Sequence, residues 1–266
     1  MMAESPVPSD RSAATELRVA RIGMIVPSSN TCVEPTTYRM LGERADVSVH
    51  FTRIPVTRVG LDGTSDAQFA TTAMEAAALL LASADVDVIA WNGTAGSWLG
   101  SAHDRAITEA ITAATGVRAV TSTQALMKAF AVLRVRNVGI VTPYPDDMNA
   151  KIGTCYRDEG ITTTAAHGFG LTETTDIARI RPEDLVAPTR QVVQSTPDAI
   201  AYVCTNLHGA GAVEGAEAEL GVPVIDSVAI TLAACLAVVG AGPLDPRWAP
   251  DLAGSFGVTS AAPSRS

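Results

Sequence analysis

Four thiols, Cys32, Cys155, Cys204 and Cys235, are the reactive side chains of this 266-residue chain whose placement most invites a chemical role. No pair has C-x-x-C spacing, so neither a zinc site nor a disulfide framework is suggested. Cys204 differs from the rest in context. It ends the apolar run Ala199–Cys204, and TNLHGAGAVEGAEAEL beyond it reads as a loop leading into a helix. A thiol becomes a base or nucleophile near neutral pH when N–H donors or a helix N-terminus lower its pKa, and such a loop supplies donors. Free cysteine is also among the most buried residues, so position alone leaves a structural core cysteine as an equal alternative. Cys235, in LAACLAVV, reads as core. Cys155 lies in a helical stretch with no matching loop, and Cys32 lies close to the first loop.

Other loops offer neutral hydrogen-bond donors rather than charges. Asn92-Gly93-Thr94-Ala95-Gly96-Ser97 is a turn able to present backbone N–H groups and two hydroxyls to an anion. Pro27-Ser28-Ser29-Asn30-Thr31 provides neutral side chains suited to a carboxylate, and the Tyr144 hydroxyl belongs to a loop that could reach the same anion. As ligand-free alternatives, the glycine-rich turn is a plain connector and Tyr144 an ordinary aromatic in a Pro-Tyr-Pro turn. Neither a Walker loop nor a G-x-G-x-x-G follows a strand, and G-x-S-x-G is absent. His208, four residues past Cys204, is placed to tune it or to be simply solvated. His50, His103 and His167 show no metal-ligand spacing. No metal and no organic cofactor is expected.

The elements that must carry these loops follow from periodicity. Ile22–Val26, Val86–Trp91, Val138–Val141 and Ala199–Cys204 are short β-branched-rich runs, as strands buried on both faces of a parallel sheet should be. Ala67–Ala84, His103–Ala114 and Thr123–Leu133 have helical periodicity. The alternation predicts a doubly wound α/β architecture. Its blocks then repeat. RIGMIVPSSN is echoed by NVGIVTPYPDD, DVDVIAWNGTAGS by PDAIAYVCTNLHG, and GVRAVTSTQAL by GVPVIDSVAIT. Three blocks in one order predict two pseudo-symmetric parallel-sheet lobes with the active site between them. Residues 20–118 are expected to form lobe one, completed by about 226–250, and 119–225 lobe two, with 1–19 and 251–266 expected as flexible tails. Because open α/β sheets bind ligands beyond the carboxyl ends of their strands, the loops above face one cleft. The repeat sets Gly93 opposite Cys204, and this match favours function over burial for the thiol.

Bulk properties agree with a small-molecule enzyme. Hydrophobic residues make up 47% and charged residues 18%, enough apolar surface for a sizeable core. A net charge of −9 without a Lys/Arg cluster argues against nucleic acid or an anionic membrane as partner. The polar N-terminus lacks the apolar core of a secretory signal. The longest apolar stretch, near 229–242, falls short of the ~20 residues of a membrane helix. A cytoplasmic protein with reduced thiols is expected; self-association into a homo-oligomer stays open.

PSSNT, VIAWNGTAGS, VTPY and CTNLHG together resemble the aspartate/glutamate racemase superfamily, in its maleate isomerase and arylmalonate decarboxylase branch, across about residues 20–245. The resemblance implies two pseudo-symmetric lobes and cofactor-independent chemistry through an enediolate held by neutral donors. Racemases of this kind use one cysteine per lobe, whereas here Gly93 stands at the first position and Cys204 at the second. Arylmalonate decarboxylases share that glycine and lone cysteine. Ser28, Ser29 and Asn30 look instead like the isomerases, and Ala95 replaces a serine of the decarboxylases. The implied site is Cys204 as proton donor, with Ser28, Asn30, Gly93, Thr94, Ala95, Tyr144 and Thr205 binding substrate or oxyanion. The leading expectation is a malonate-type decarboxylase of a small carboxylate. The alternatives are a cis-trans isomerase or racemase, and a non-catalytic small-carboxylate-binding protein.

Overall fold

A computed structural model describes residues 18–63, 67–250 and 252. The expected tails lie almost wholly outside these. The first sheet contains β1 (Ala20–Pro27), β2 (Val47–Ile54), β3 (Val88–Trp91) and β4 (Arg118–Thr121), in the order β2-β1-β3-β4. The second contains β5 (Asn137–Thr142), β6 (Thr162–Gly168), β7 (Ala199–Tyr202) and β8 (Val224–Asp226), in the order β6-β5-β7-β8. All the strand pairs are parallel. Two four-stranded α/β sheets with one topology used twice are what the internal repeat predicts.

The registers give the repeat an atomic form. Ile22 pairs with Val88 in the first sheet, and Val138 with Ala199 in the second, at the positions that the sequence blocks equate. Asp87 accepts the backbone N–H of Arg21, and Asp198 that of Asn137, so the same carboxylate aligns the start of each central strand. β3 and β7 are wholly buried, since helices cover both faces of each sheet. β2 and β6 occupy sheet edges and are mostly half-buried, with polar residues along their length. Their mixed composition lacks a long apolar run.

The helices are α1 (Val33–Leu41), α2 (Thr71–Ala82), α3 (Gly96–Leu99), α4 (Ser101–Thr115), α5 (Ser122–Val132), α6 (Asp146–Asp158), α7 (Thr174–Ile177), α8 (Val186–Val192), α9 (Val213–Leu220) and α10 (Ser227–Val239). The predicted helix over 67–84 is shorter in the structure, because Ala70 is extended and α2 begins after it. Caps explain two starts. The Thr121 hydroxyl accepts the Gln124 N–H before α5, and the Asp226 carboxylate accepts the Val228 and Ala229 N–H groups before α10. α10 is buried from Ser227 through Val238. Although it follows β8, it packs against α5 and against α1, β3 and β4 around the first sheet. That crossing ties the halves together. A short bridge between Arg58 and Glu173 joins them on another side. Among the described residues, no helix is long and apolar enough to cross a membrane.

Candidate active site

Loops from the carboxyl ends of β1, β3, β5 and β7 converge on one cavity. Asn30, Gly93, Thr94, Ala95, Tyr144, Cys204 and Thr205 all line it, as expected for them. Ser28 does not. It is exposed, and its hydroxyl accepts the Val56 N–H at 3.2 Å, fastening the loop after β1 to the loop after β2. The next residue, Ser29, lines the cavity instead and donates to the Val56 carbonyl at 2.6 Å. Among the described residues, no charged side chain lines the wall.

Cys204 lies two residues past β7 and is buried. The Asn206 N–H donates to its sulfur at 3.4 Å, and the Tyr144 hydroxyl is also hydrogen-bonded to it. Burial outweighs these two contacts and the Leu207 N–H, so the thiol pKa rises from its ordinary 9.0. The helix expected beyond the loop, α9, begins only at Val213, and the backbone donors to the sulfur are instead the loop N–H groups of Asn206 and Leu207. At neutral pH the group is therefore a protonated thiol. The Tyr144 hydroxyl is raised well above its ordinary 10.0, mainly by burial and then by the adjoining Cys204, so it too is a neutral donor. It lies 3.3 Å from the Thr94 hydroxyl, and its ring packs edge-on against Trp98 at 5.4 Å.

Cross-lobe bonds fix the loops relative to each other. Asn30 donates through Nδ2 to the Thr205 hydroxyl at 3.3 Å and accepts the N–H groups of Cys32 and Val33 at 2.9 Å each, opening α1. The Thr205 hydroxyl donates to the Asn92 carbonyl at 2.9 Å. That proton is thus engaged within the protein, leaving the backbone of Thr205 as its group for a ligand. Asn206 accepts the Thr31 N–H at 3.1 Å and donates to the Thr174 carbonyl at 2.8 Å while its own N–H holds the Cys204 sulfur. Sequence reasoning missed Asn206 as a wall residue, although its adjacency to Cys204 was a usable signal. Phe69, Trp98, Thr174 and Ile177 also line the cavity and carried no motif, while Trp91, inside VIAWNGTAGS, lines it without having been singled out.

The remaining thiols and histidines fall elsewhere. Cys32 is buried behind the wall, donating to the Leu207 carbonyl at 3.3 Å, and burial pushes its pKa to about 12. His208 touches Cys32, not Cys204: its Nδ1 is 3.5 Å from the Cys32 sulfur and its Nε2 3.2 Å from the Ala178 carbonyl. Its rotation toward Cys32 removes it from the proposed tuning role. Cys155 donates to the Trp98 carbonyl, and Cys235 is buried within α10. Among the described residues, no group of three or more His, Cys, Asp or Glu side chains could hold a metal ion.

Known proteins are similar to this chain in sequence and fold. The chain is 31% identical over 143 residues to the arylmalonate decarboxylase of Bordetella bronchiseptica, a match covering 53% of this chain and 60% of that protein. It is 29% identical over 246 residues to the maleate isomerase of Nocardia farcinica, covering 85% and 95% of the two chains. A solved structure of Nocardia farcinica maleate cis-trans isomerase with a covalently bound succinylcysteine intermediate superimposes with a TM-score of 0.76 at 26% identity, over 84% of this chain and 94% of that one. The arylmalonate decarboxylase family matches residues 22–247, nearly all of the folded chain, and the protein belongs to that family.

Proposed function

We propose that the protein is a cofactor-independent decarboxylase of a malonate-type small carboxylate, with Cys204 delivering the proton. One observation carries this reading: Cys204 is the only thiol lining the cavity among the described residues, and its surroundings keep it protonated. A protonated thiol is a poor nucleophile and holds the proton that a general acid must deliver.

The substrate lies with one carboxylate toward Thr94, Tyr144 and the backbone N–H groups of Ala95 and Thr205. The bond from the α-carbon to the other carboxylate breaks, and CO₂ leaves. Its electron pair passes into the retained carboxylate as an enediolate. Neutral donors preorganised in a dry site stabilise that charge more than water would. The Cys204 S–H then transfers its proton to the α-carbon. The thiolate left behind is held by Tyr144 and the Asn206 N–H until water reprotonates it. Gly93 bears no acid or base, so protonation comes from one face. Ser29 and Asn30 orient a second polar group of the substrate. In this reading residues 20–118, completed by about 226–250, and residues 119–225 are the units whose facing loops form the site, and the protein acts in the cytoplasm.

An isomerase is favoured by a different observation, the polar Ser29 and Asn30 wall together with the longer match to maleate isomerase. Substituted malonates, maleate and amino acids incubated with the enzyme in deuterium oxide and followed by NMR separate the readings. Release of CO₂ with one deuterium at the α-carbon is the expected result. Cis-trans conversion or α-proton exchange without CO₂ would replace the decarboxylase reading with isomerisation or racemisation. Binding without product across the panel would leave a carboxylate-binding protein.

A further inference from the structure

Trp91 ends β3, is fully buried, and lines the cavity beside Gly93. A Cβ on Gly93 would lie 2.3 Å from Trp91 Cζ2, 2.4 Å from Cε2 and 2.8 Å from Nε1. Atoms do not approach so closely, so the indole already occupies the place where a side chain at position 93 would begin. Trp91 Nε1 is buried without a hydrogen-bond partner. Packing holds the ring instead: Phe69 lies against it at 6.3 Å and against Trp98 at 5.9 Å. The pseudo-symmetric residue in the second half behaves differently. The Tyr202 hydroxyl is bonded to Thr189 on α8 at 2.9 Å, and the Tyr202 ring does not line the cavity. Room is thereby left for the side chain of Cys204.

We propose that Trp91 is the specificity-determining residue of the site, an aromatic wall that keeps position 93 free of any side chain and so restricts proton transfer to the Cys204 face. The inference rests on the decarboxylase reading for its catalytic consequence, and on geometry alone for the exclusion. An indole has a donor N–H and no basic nitrogen at neutral pH. With the ring in place the α-proton of the product cannot be removed from the opposite face, and a product that Cys204 protonates keeps one handedness.

Two measurements test this. The first is a thermal-denaturation cycle of Gly93→Ala, Trp91→Leu and the double variant, which needs no substrate. Gly93→Ala should lower Tm clearly in the native background and have little effect once Trp91 is Leu. Equal loss in both backgrounds would overturn the exclusion. The second uses Gly93→Cys with and without Trp91→Leu, following α-deuterium incorporation into the monoacid product. Exchange should rise by about a hundredfold or more only in the double variant, where a base on each face can act. Equal exchange in the Gly93→Cys single variant would overturn the proposal. If no variant, nor the native enzyme, converts any malonate while the thermal coupling persists, the decarboxylase reading fails and the wall stands.

Discussion

The loops after β3 and β7 leave equivalent positions of two sheets built alike, yet they end in different chemistry. After β3 the chain reads Asn92-Gly93-Thr94-Ala95; after β7 it reads Val203-Cys204-Thr205-Asn206. The first loop contributes a threonine hydroxyl beside Tyr144 and a glycine pressed against an indole. The second contributes a thiol, with a backbone N–H and the same tyrosine on its sulfur. The helix caps diverge in parallel: Thr121 opens α5 where Asp226 opens α10. A duplicated scaffold thus divides the work. In the proposed reaction, the first half closes one face of the cavity at Gly93, and the second supplies the proton from Cys204.

The largest expected effect comes from removing the element that makes the halves unequal. Cys204→Ala should lower kcat by about a thousandfold, the scale of a lost general acid, with the fold intact by circular dichroism. Retention of full turnover would end its role as proton donor. The native pH–rate profile should carry an alkaline limb above 9.0, because burial raises the thiol and activity persists while it is protonated. Tyr144→Phe should follow, lowering kcat on the order of a hundredfold, since it removes a donor shared by Thr94 and Cys204. A change confined to KM would move Tyr144 to simple binding.

Asn30→Ala comes next, and it acts on the tie between the halves. It removes the acceptor of the Cys32 and Val33 N–H groups that lead into α1 and the bond to Thr205, which should cost about 1–2 kcal/mol in urea denaturation. The caps themselves should differ with pH. Burial pushes the Asp226 carboxyl up to about 7 from 3.8, so its contribution to stability is full below the lower value and is lost as pH rises through the higher one. Asp104, likewise buried and raised to about 7, adds to the same slope. Tm should therefore fall as pH rises from about 4 to about 7 and level off above that, and Asp226→Asn should flatten part of that fall. The smallest effect belongs to Ser28→Ala, whose side chain faces away from the cavity. Its kcat should be unchanged and its stability within about 0.5 kcal/mol of the native protein. A large loss of activity there would mean that the loop after β1 reaches the substrate differently.

Much of the architecture was legible in the chain. Runs such as Arg21–Asn30 and Asn137–Asp147 share a pattern because buried parallel strands tolerate little besides β-branched and small residues. β2 and β6 were not read as strands, since edge positions accept polar residues and lose that signature. Within the site, seven of the eight named residues line the cavity, because strand ends place their loops together by topology alone. Ser28 was misread for its neighbour Ser29, as side-chain direction in a loop depends on contacts such as that to Val56.

The sequence by itself determined the duplicated α/β plan, the loops that would meet, and the single cysteine set against a glycine. These depend on composition and order along the chain. Only the tertiary structure decided that burial holds Cys204 as a thiol, that the Thr205 hydroxyl is engaged by Asn92, and that Trp91 fills the space at Gly93. Such outcomes depend on which groups exclude water from which others, and contacts between residues distant in the chain settle that.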